Sequence, residues 1–161
     1  MKKEAIKKLN KDLEIEYFCS IAVLISSLLY SILYLIDFIS GKGNDNLTKF
    51  CYGVASSIVL SLLIWIIRDV KKNDTPFTTS ITNKLKAIAG VVILSSVLPD
   101  LLTELVVFVG KVNADLPAEI DFDFVFASKT LFICWLGIII GIISEIFTYG
   151  VKLQEDSDSI A

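Results

Sequence analysis

Apolar positions along this chain gather into four long blocks, at about 17–39, 50–67, 87–109 and 126–149, with short polar seams between them. The second block carries no charge, and the first carries only Asp37. The third contains Asp100 and Glu104, and the fourth has Lys129 near its start and Glu145 near its end. A helix of roughly 20 apolar residues crosses a hydrocarbon core of about 30 Å, and each block has that reach. A soluble helix shows a polar stripe at its 3.6-residue period. Residues 58–67 and 138–140 are apolar all round except for Ser61, so a soluble bundle fits poorly. Strands are disfavoured because a lipid-exposed sheet leaves unsatisfied edges.

The pattern therefore predicts an all-α membrane protein, a four-helix transmembrane bundle. It divides into an N-terminal segment at 1–16, a transmembrane domain at 17–150 and a tail at 151–161. The first block is longer than a signal-peptide core and no A-x-A-like site follows it, so it is expected to remain as a span. Of the 15 Lys and Arg, 11 fall in the N-terminal segment, the middle seam and the tail, and 4 in the other two seams. The positive-inside rule then puts both termini in the cytoplasm. Tyr17, Phe18, Phe50, Tyr52, Trp65, Phe147 and Tyr149 stand near span ends, where aromatic belts form.

The N-terminal segment repeats Ile6, Leu9 and Leu13 at helical spacing among lysines and acids. It reads either as an interfacial helix on anionic lipid or as the first span continuing into the cytoplasm. Residues 41–46 are Gly- and Asn-rich turn chemistry. In the middle seam, Asp74, Thr75 and Pro76 stop one helix, and Thr79 or Ser80 can cap the next. This seam is the most basic surface open to a cytoplasmic partner, with Arg68, Lys71, Lys72, Lys84 and Lys86. The last seam is acidic, with Asp115, Glu119, Asp121 and Asp123, and it alternates Ile120, Phe122, Phe124 and Phe126 with acidic or small residues. It reads as a solvated loop whose Phe side chains dip into the interface, or as a short strand receiving a cationic ligand.

Within the spans, Gly137 and Gly141 form a GxxxG pair, and Gly53, Ser57 and Ser61 make a second small-residue row. Such rows let helices approach closely, within one chain or between copies in a homo-oligomer. Asp100 lies mid-span with Glu104 one turn away on the same face, and Ser96 and Thr103 extend the stripe. A carboxylate at bilayer depth costs about 2.5–3.5 kcal/mol on insertion scales, which marks it as a candidate ion or proton relay or a packing switch. Pro99 frees a backbone carbonyl beside it, and a kink there is the bland alternative. Glu145 is placed to pair with Arg68 or Lys86. The three cysteines, Cys19, Cys51 and Cys134, have no CxxC spacing and fit neither a disulfide framework nor a zinc site.

Composition adds little to this arrangement. Residues of the apolar and aromatic set make up 54%, the formal net charge is −3 and His is absent. No basic nucleic-acid surface is implied, and His-based triads and metal sites are ruled out. No nucleophile–base pair, phosphate loop or metal set stands out, so the expectation is a non-enzyme without cofactor or metal.

Two stretches carry a resemblance. Thr75, Pro76, Phe77 and Thr78 followed by Leu85 and Lys86, and Ser144 to Phe147 with Gly150, Leu153, Gln154 and Glu155, resemble a family of small bacterial four-span membrane proteins catalogued as domain of unknown function 2975 (DUF2975). The tail from Asp156 to Ala161 departs from that family's acidic-Leu-Thr-Val ending. The resemblance implies a bacterial cytoplasmic membrane and, as a partner, a small DNA-binding helix-turn-helix regulator. The expected function is a membrane regulator that meets its partner through Arg68, Lys71, Lys72, Pro76, Phe77, Lys84, Lys86, Glu145 and Glu155. The alternatives are an oligomeric transporter or channel subunit using Asp100 and Glu104, and an immunity protein against a membrane-active peptide.

Overall fold

The computed structural model describes residues 2–73, 77–120 and 127–160, and their side chains over 11–73, 77–120 and 127–157. It contains four helices in chain order, α1 Lys2–Ile39, α2 Asp45–Asn73, α3 Thr79–Asn113 and α4 Ser128–Ile160. Each is long and apolar enough to cross a membrane, and no strand occurs among the described residues. α1 runs unbroken from the N-terminal segment into the first span, so residues 2–16 and the span form one continuous helix.

The turns follow from local chemistry. The α1–α2 reversal uses Gly41 at φ 72° and Gly43 at φ 128°, left-handed values that cost a side chain dearly and glycine little. An ion pair from Lys42 to Asp37 at 2.6 Å closes it. Thr78 starts α3: its extended backbone and hydroxyl accept the N–H of Ile81. The expected caps, Thr79 and Ser80, lie inside the first turn instead. Ser80 is engaged elsewhere, donating to Asp69 at 2.7 Å. Pro99 does not end α3, which continues to Asn113. Among hydroxyls near it, Thr103 bonds the Pro99 carbonyl at 3.1 Å.

Cross-helix contacts fix the topology. Ser27 meets Ser57 and Glu14 meets Lys71, so α1 and α2 are antiparallel. Thr48 meets Thr103 and Asp69 meets Ser80, which makes α2 and α3 antiparallel as well. Ser144 meets Thr82 while Gly137 meets Ile93, giving the same relation for α3 and α4. Both chain ends and the α2–α3 connection therefore share one end of the structure, called here the terminal end. Among the described residues, helix backbones pack against their neighbours in sequence, α1 on α2, α2 on α3 and α3 on α4, and the Lys129 side chain of α4 reaches the Tyr52 ring of α2. The result is an open layer of helices.

Small side chains and hydroxyls make the seams. Between α1 and α2, the Ser27 hydroxyl lies 3.0 Å from both the Gly53 carbonyl and the Ser57 hydroxyl, and Ser61 bonds back to the Ser57 carbonyl. Ser31 presses on Gly53 so closely that a Cβ there would stand 2.3 Å from its Oγ. Between α3 and α4, a Cβ on Gly137 would meet the Ile93 side chain at 2.6 Å and its backbone N at 3.1 Å. Both small-residue rows are thus used inside the chain. Ser144, fully buried, donates to the Thr82 carbonyl at 3.0 Å and ties the same seam nearer the terminal end.

Gly137→Leu is expected to destabilise the protein in detergent by about 1–3 kcal/mol, the usual cost of overpacking. Gly110→Ala, whose Cβ would meet nothing within 4 Å, is expected to leave thermal unfolding unchanged. Equal unfolding curves for the two variants would contradict the seam.

Candidate functional site

Two clusters stand out, one level with the early turns of α2 and α4, away from the terminal end, and one at the terminal end. The first cluster is built by three helices. Tyr52 on α2 donates its hydroxyl to Asp100 Oδ2 on α3 at 3.3 Å. Lys129, in the first turn of α4, sits over the Tyr52 ring with Nζ 4.1 Å from its centroid. Tyr52 therefore stands between an acid and a base from different helices. Just beyond, the Thr48 and Thr103 hydroxyls bond each other at 2.6 Å. In hydrocarbon, one carboxylate is costly, while opposite charges facing the bundle compensate each other. Lys129 is exposed, and cation–π contact at such a site adds about 0.5–1 kcal/mol.

The structure sorts the expected stripe. Asp100 and Thr103 join this cluster. Ser96 is buried but bonds only its own helix, at the Ile93 carbonyl, 2.6 Å away. Among the described residues, no hydrogen bond or ion pair links half-buried Glu104 to Asp100. Sequence reasoning missed Tyr52 and Lys129 as partners of Asp100. The one available signal was the lone lysine inside an otherwise apolar fourth block.

At the terminal end, most of the expected basic surface is engaged. Lys71 pairs with Glu14 of α1 at 3.2 Å, and Lys86 with Glu145 of α4 at 3.0 Å. Lys84 pairs with Asp69 and lies 5.8 Å from the centre of the Trp65 ring. Bonds from Lys84 and Ser80 hold the Asp69 carboxyl below its usual range. Arg68 and Lys72 are exposed.

The start of α3 is fastened to the end of α4. The Phe77 ring packs on Gly150, where a Cβ would stand 2.6 Å from it, and lies 5.4 Å from the Phe147 ring centre. Val151 is buried beneath this contact, and Phe77, Thr78, Thr79, Val151, Gln154 and Glu155 line a recess of about 190 Å³. Pro76 lies outside the described residues, as do Asp121 and Asp123. Asp115 and Glu119 are exposed past the end of α3, and Asp115 takes φ 55°. No group of three or more potential metal ligands occurs among the described residues. The cysteines are free, with Cys19 exposed and Cys51 and Cys134 half-buried.

A double-mutant cycle on Tyr52→Phe and Asp100→Asn is expected to give a coupling of about 1 kcal/mol in thermal unfolding, since each change removes the same hydrogen bond. Additive effects would mean that the bond does not form in the membrane protein.

A family profile described as "Protein of unknown function (DUF2975)" matches residues 46–160, the stretch from α2 to the end of α4. No curated protein and no solved structure matches the chain.

Proposed function

Starting from the fact that this chain belongs to the DUF2975 family, we propose that it is a non-enzymatic regulator in a bacterial cytoplasmic membrane that binds a cytoplasmic partner at its terminal end. One observation carries this reading: the helices outrun their apolar spans chiefly at that end. α1 begins about 22 Å before Tyr17, and α4 continues about 16 Å past Tyr149 to Ile160. At the opposite end, α1 stops at Ile39 and α4 starts at Ser128, close to the limits of their apolar blocks. The projecting ends are cross-tied through Lys71–Glu14, Asp69–Lys84, Lys86–Glu145 and Phe77–Gly150. Such ties give a fixed platform, and a fixed surface loses little freedom when it binds.

With Lys71, Lys84 and Lys86 turned to intramolecular pairs, the partner surface narrows to Phe77 and the last turns of α4. Leu153 is 52% exposed there, an apolar anchor outside the span, and Glu155 lies beside it. Positive-inside charge supports a cytoplasmic position for this end. The family resemblance suggests a helix-turn-helix regulator as the partner class.

The test is a membrane pull-down on the tagged full chain with a helix-turn-helix protein encoded beside it. Leu153→Asp/Glu155→Lys is expected to reduce recovery at least about tenfold, the loss typical of an interface hot spot. Recovery of no regulator, with transcription unchanged on deletion, overturns the reading.

The Asp100–Tyr52–Lys129 cluster favours a second reading, a small transporter or channel subunit. It expects proton or cation flux in liposomes that disappears in Asp100→Asn. Flux unchanged by that substitution removes Asp100 from the path.

A further inference from the structure

One flank of α2 joins an apolar trough to a basic cavity, and neither belongs to the Asp100–Tyr52–Lys129 cluster or to the surface formed by Phe77 and the last turns of α4. Phe50, Val54, Ile58, Leu62 and Trp65 follow one another at three- and four-residue spacing, so they form a single ridge on the helix. A groove of about 520 Å³ runs on one side of the ridge against Leu24, Leu28 and Ile32 of α1. A second, of about 310 Å³, runs on the other side against Val91, Leu94 and Leu98 of α3. The two grooves share Phe50, Val54 and Ile58. The ridge ends at Trp65, which also lines a cavity of about 380 Å³ with Arg68, Asp69, Lys72 and Lys84.

Charge and length identify the occupant. Asp69 is one negative charge against Arg68, Lys72 and Lys84; it pairs with Lys84, and among the described residues neither Arg68 nor Lys72 forms an ion pair. The cavity is therefore net cationic, and it opens at the end of the apolar stretch, where headgroups lie. From Val54 to Trp65 the ridge measures about 16 Å, close to half of a hydrocarbon core of about 30 Å. The α1–α2 groove continues past Ile58 to Leu62 and Trp65 and so opens into the cavity, while the α2–α3 groove ends at Ile58. One apolar groove running into one cationic cavity matches an acyl chain below an anionic headgroup. We infer that this flank of α2 binds one anionic phospholipid, with an acyl chain in the α1–α2 groove beside Ile58 and Leu62 and its phosphate between Arg68 and Lys72. Trp65 marks the boundary between chain and headgroup, the usual place of such rings. Basic pockets between membrane helices recognise anionic headgroups by this chemistry. A second copy of the chain offers no reason for cations at one end of the trough only, and free phosphate offers none for the grooves.

The test reads Trp65 alone, in the full chain with Trp135→Phe, reconstituted in phosphatidylcholine vesicles. Phosphatidylglycerol with brominated acyl chains is titrated in, and quenching gives its binding relative to brominated phosphatidylcholine. A clear preference for phosphatidylglycerol is expected. Arg68→Gln/Lys72→Gln is expected to lower that preference by up to about thirtyfold, from the usual surface contribution of two cations. Lys2→Gln/Lys3→Gln, equal in charge, is expected to leave it intact. Should the double variant fail to fold, Lys72→Gln alone carries the test with a smaller loss, and Ile58→Phe weakens quenching by narrowing both grooves. Equal quenching by both lipids, or a preference unchanged in Arg68→Gln/Lys72→Gln, overturns the assignment. Inorganic phosphate that abolishes the preference would make this a site for the free anion. Disulfide-linked dimers of Ile58→Cys that form at the expense of quenching would give the trough to a second copy. A failed pull-down leaves this result untouched, because the two surfaces share no residue.

Discussion

Water does not reach the centre of a bilayer, so no gain in apolar burial draws one oily helix onto another there. Close backbone approach and hydrogen bonds must do it. In this chain that constraint explains where the small residues stand. Gly53 and Gly137 sit where neighbouring helices come within side-chain contact of their Cα atoms. Ser27, Ser57 and Ser144 bond carbonyls or hydroxyls across those seams. The buried positions are accordingly rich in Ser and Thr, and apart from Ile81 and Ile88 the large Leu, Ile and Phe side chains are mostly exposed or half-buried. The inside-out arrangement is what a lipid solvent selects.

The same constraint governs the charged residues. Asp100 is satisfied within its apolar block because Tyr52 donates to it, and Lys129 brings a positive charge over the Tyr52 ring. Outside the apolar stretch the ion pairs differ: Lys84–Asp69 is largely covered, while Lys86–Glu145, at 47% and 68% side-chain exposure, contributes little to stability. Its use is geometric, since it joins helix ends that would otherwise move separately. Phe77 on Gly150 does this more firmly, because the ring fills the place of a side chain.

The architecture was legible in the sequence to the extent that it depends on one-dimensional pattern. Four blocks of spanning length become four helices, and the GxxxG and Gly-Ser-Ser rows become seams. What depends on pairing was not legible. Tyr52, Asp100 and Lys129 come from three separate blocks, and nothing in their spacing announces that they meet. Among basic residues of the middle seam, a charge count cannot separate Lys84, turned to Asp69, from Arg68, exposed on the flank of α2. The cap moved from Thr79 or Ser80 to Thr78 because Ser80 found a partner on another helix, a choice local propensity cannot see.

The order of contacts has a bearing on how the protein is made. Among the described residues, each helix backbone packs on the one synthesised before or after it, and the Lys129 side chain of the last helix reaches further, to Tyr52. As α2 leaves the translocation channel, its Gly53 face already has α1 waiting; α3 then finds α2, and α4 finds α3. No helix must be held apart for a later one to slip between, and no earlier contact has to reopen. A layer with this connectivity can be completed by simple addition at its growing edge.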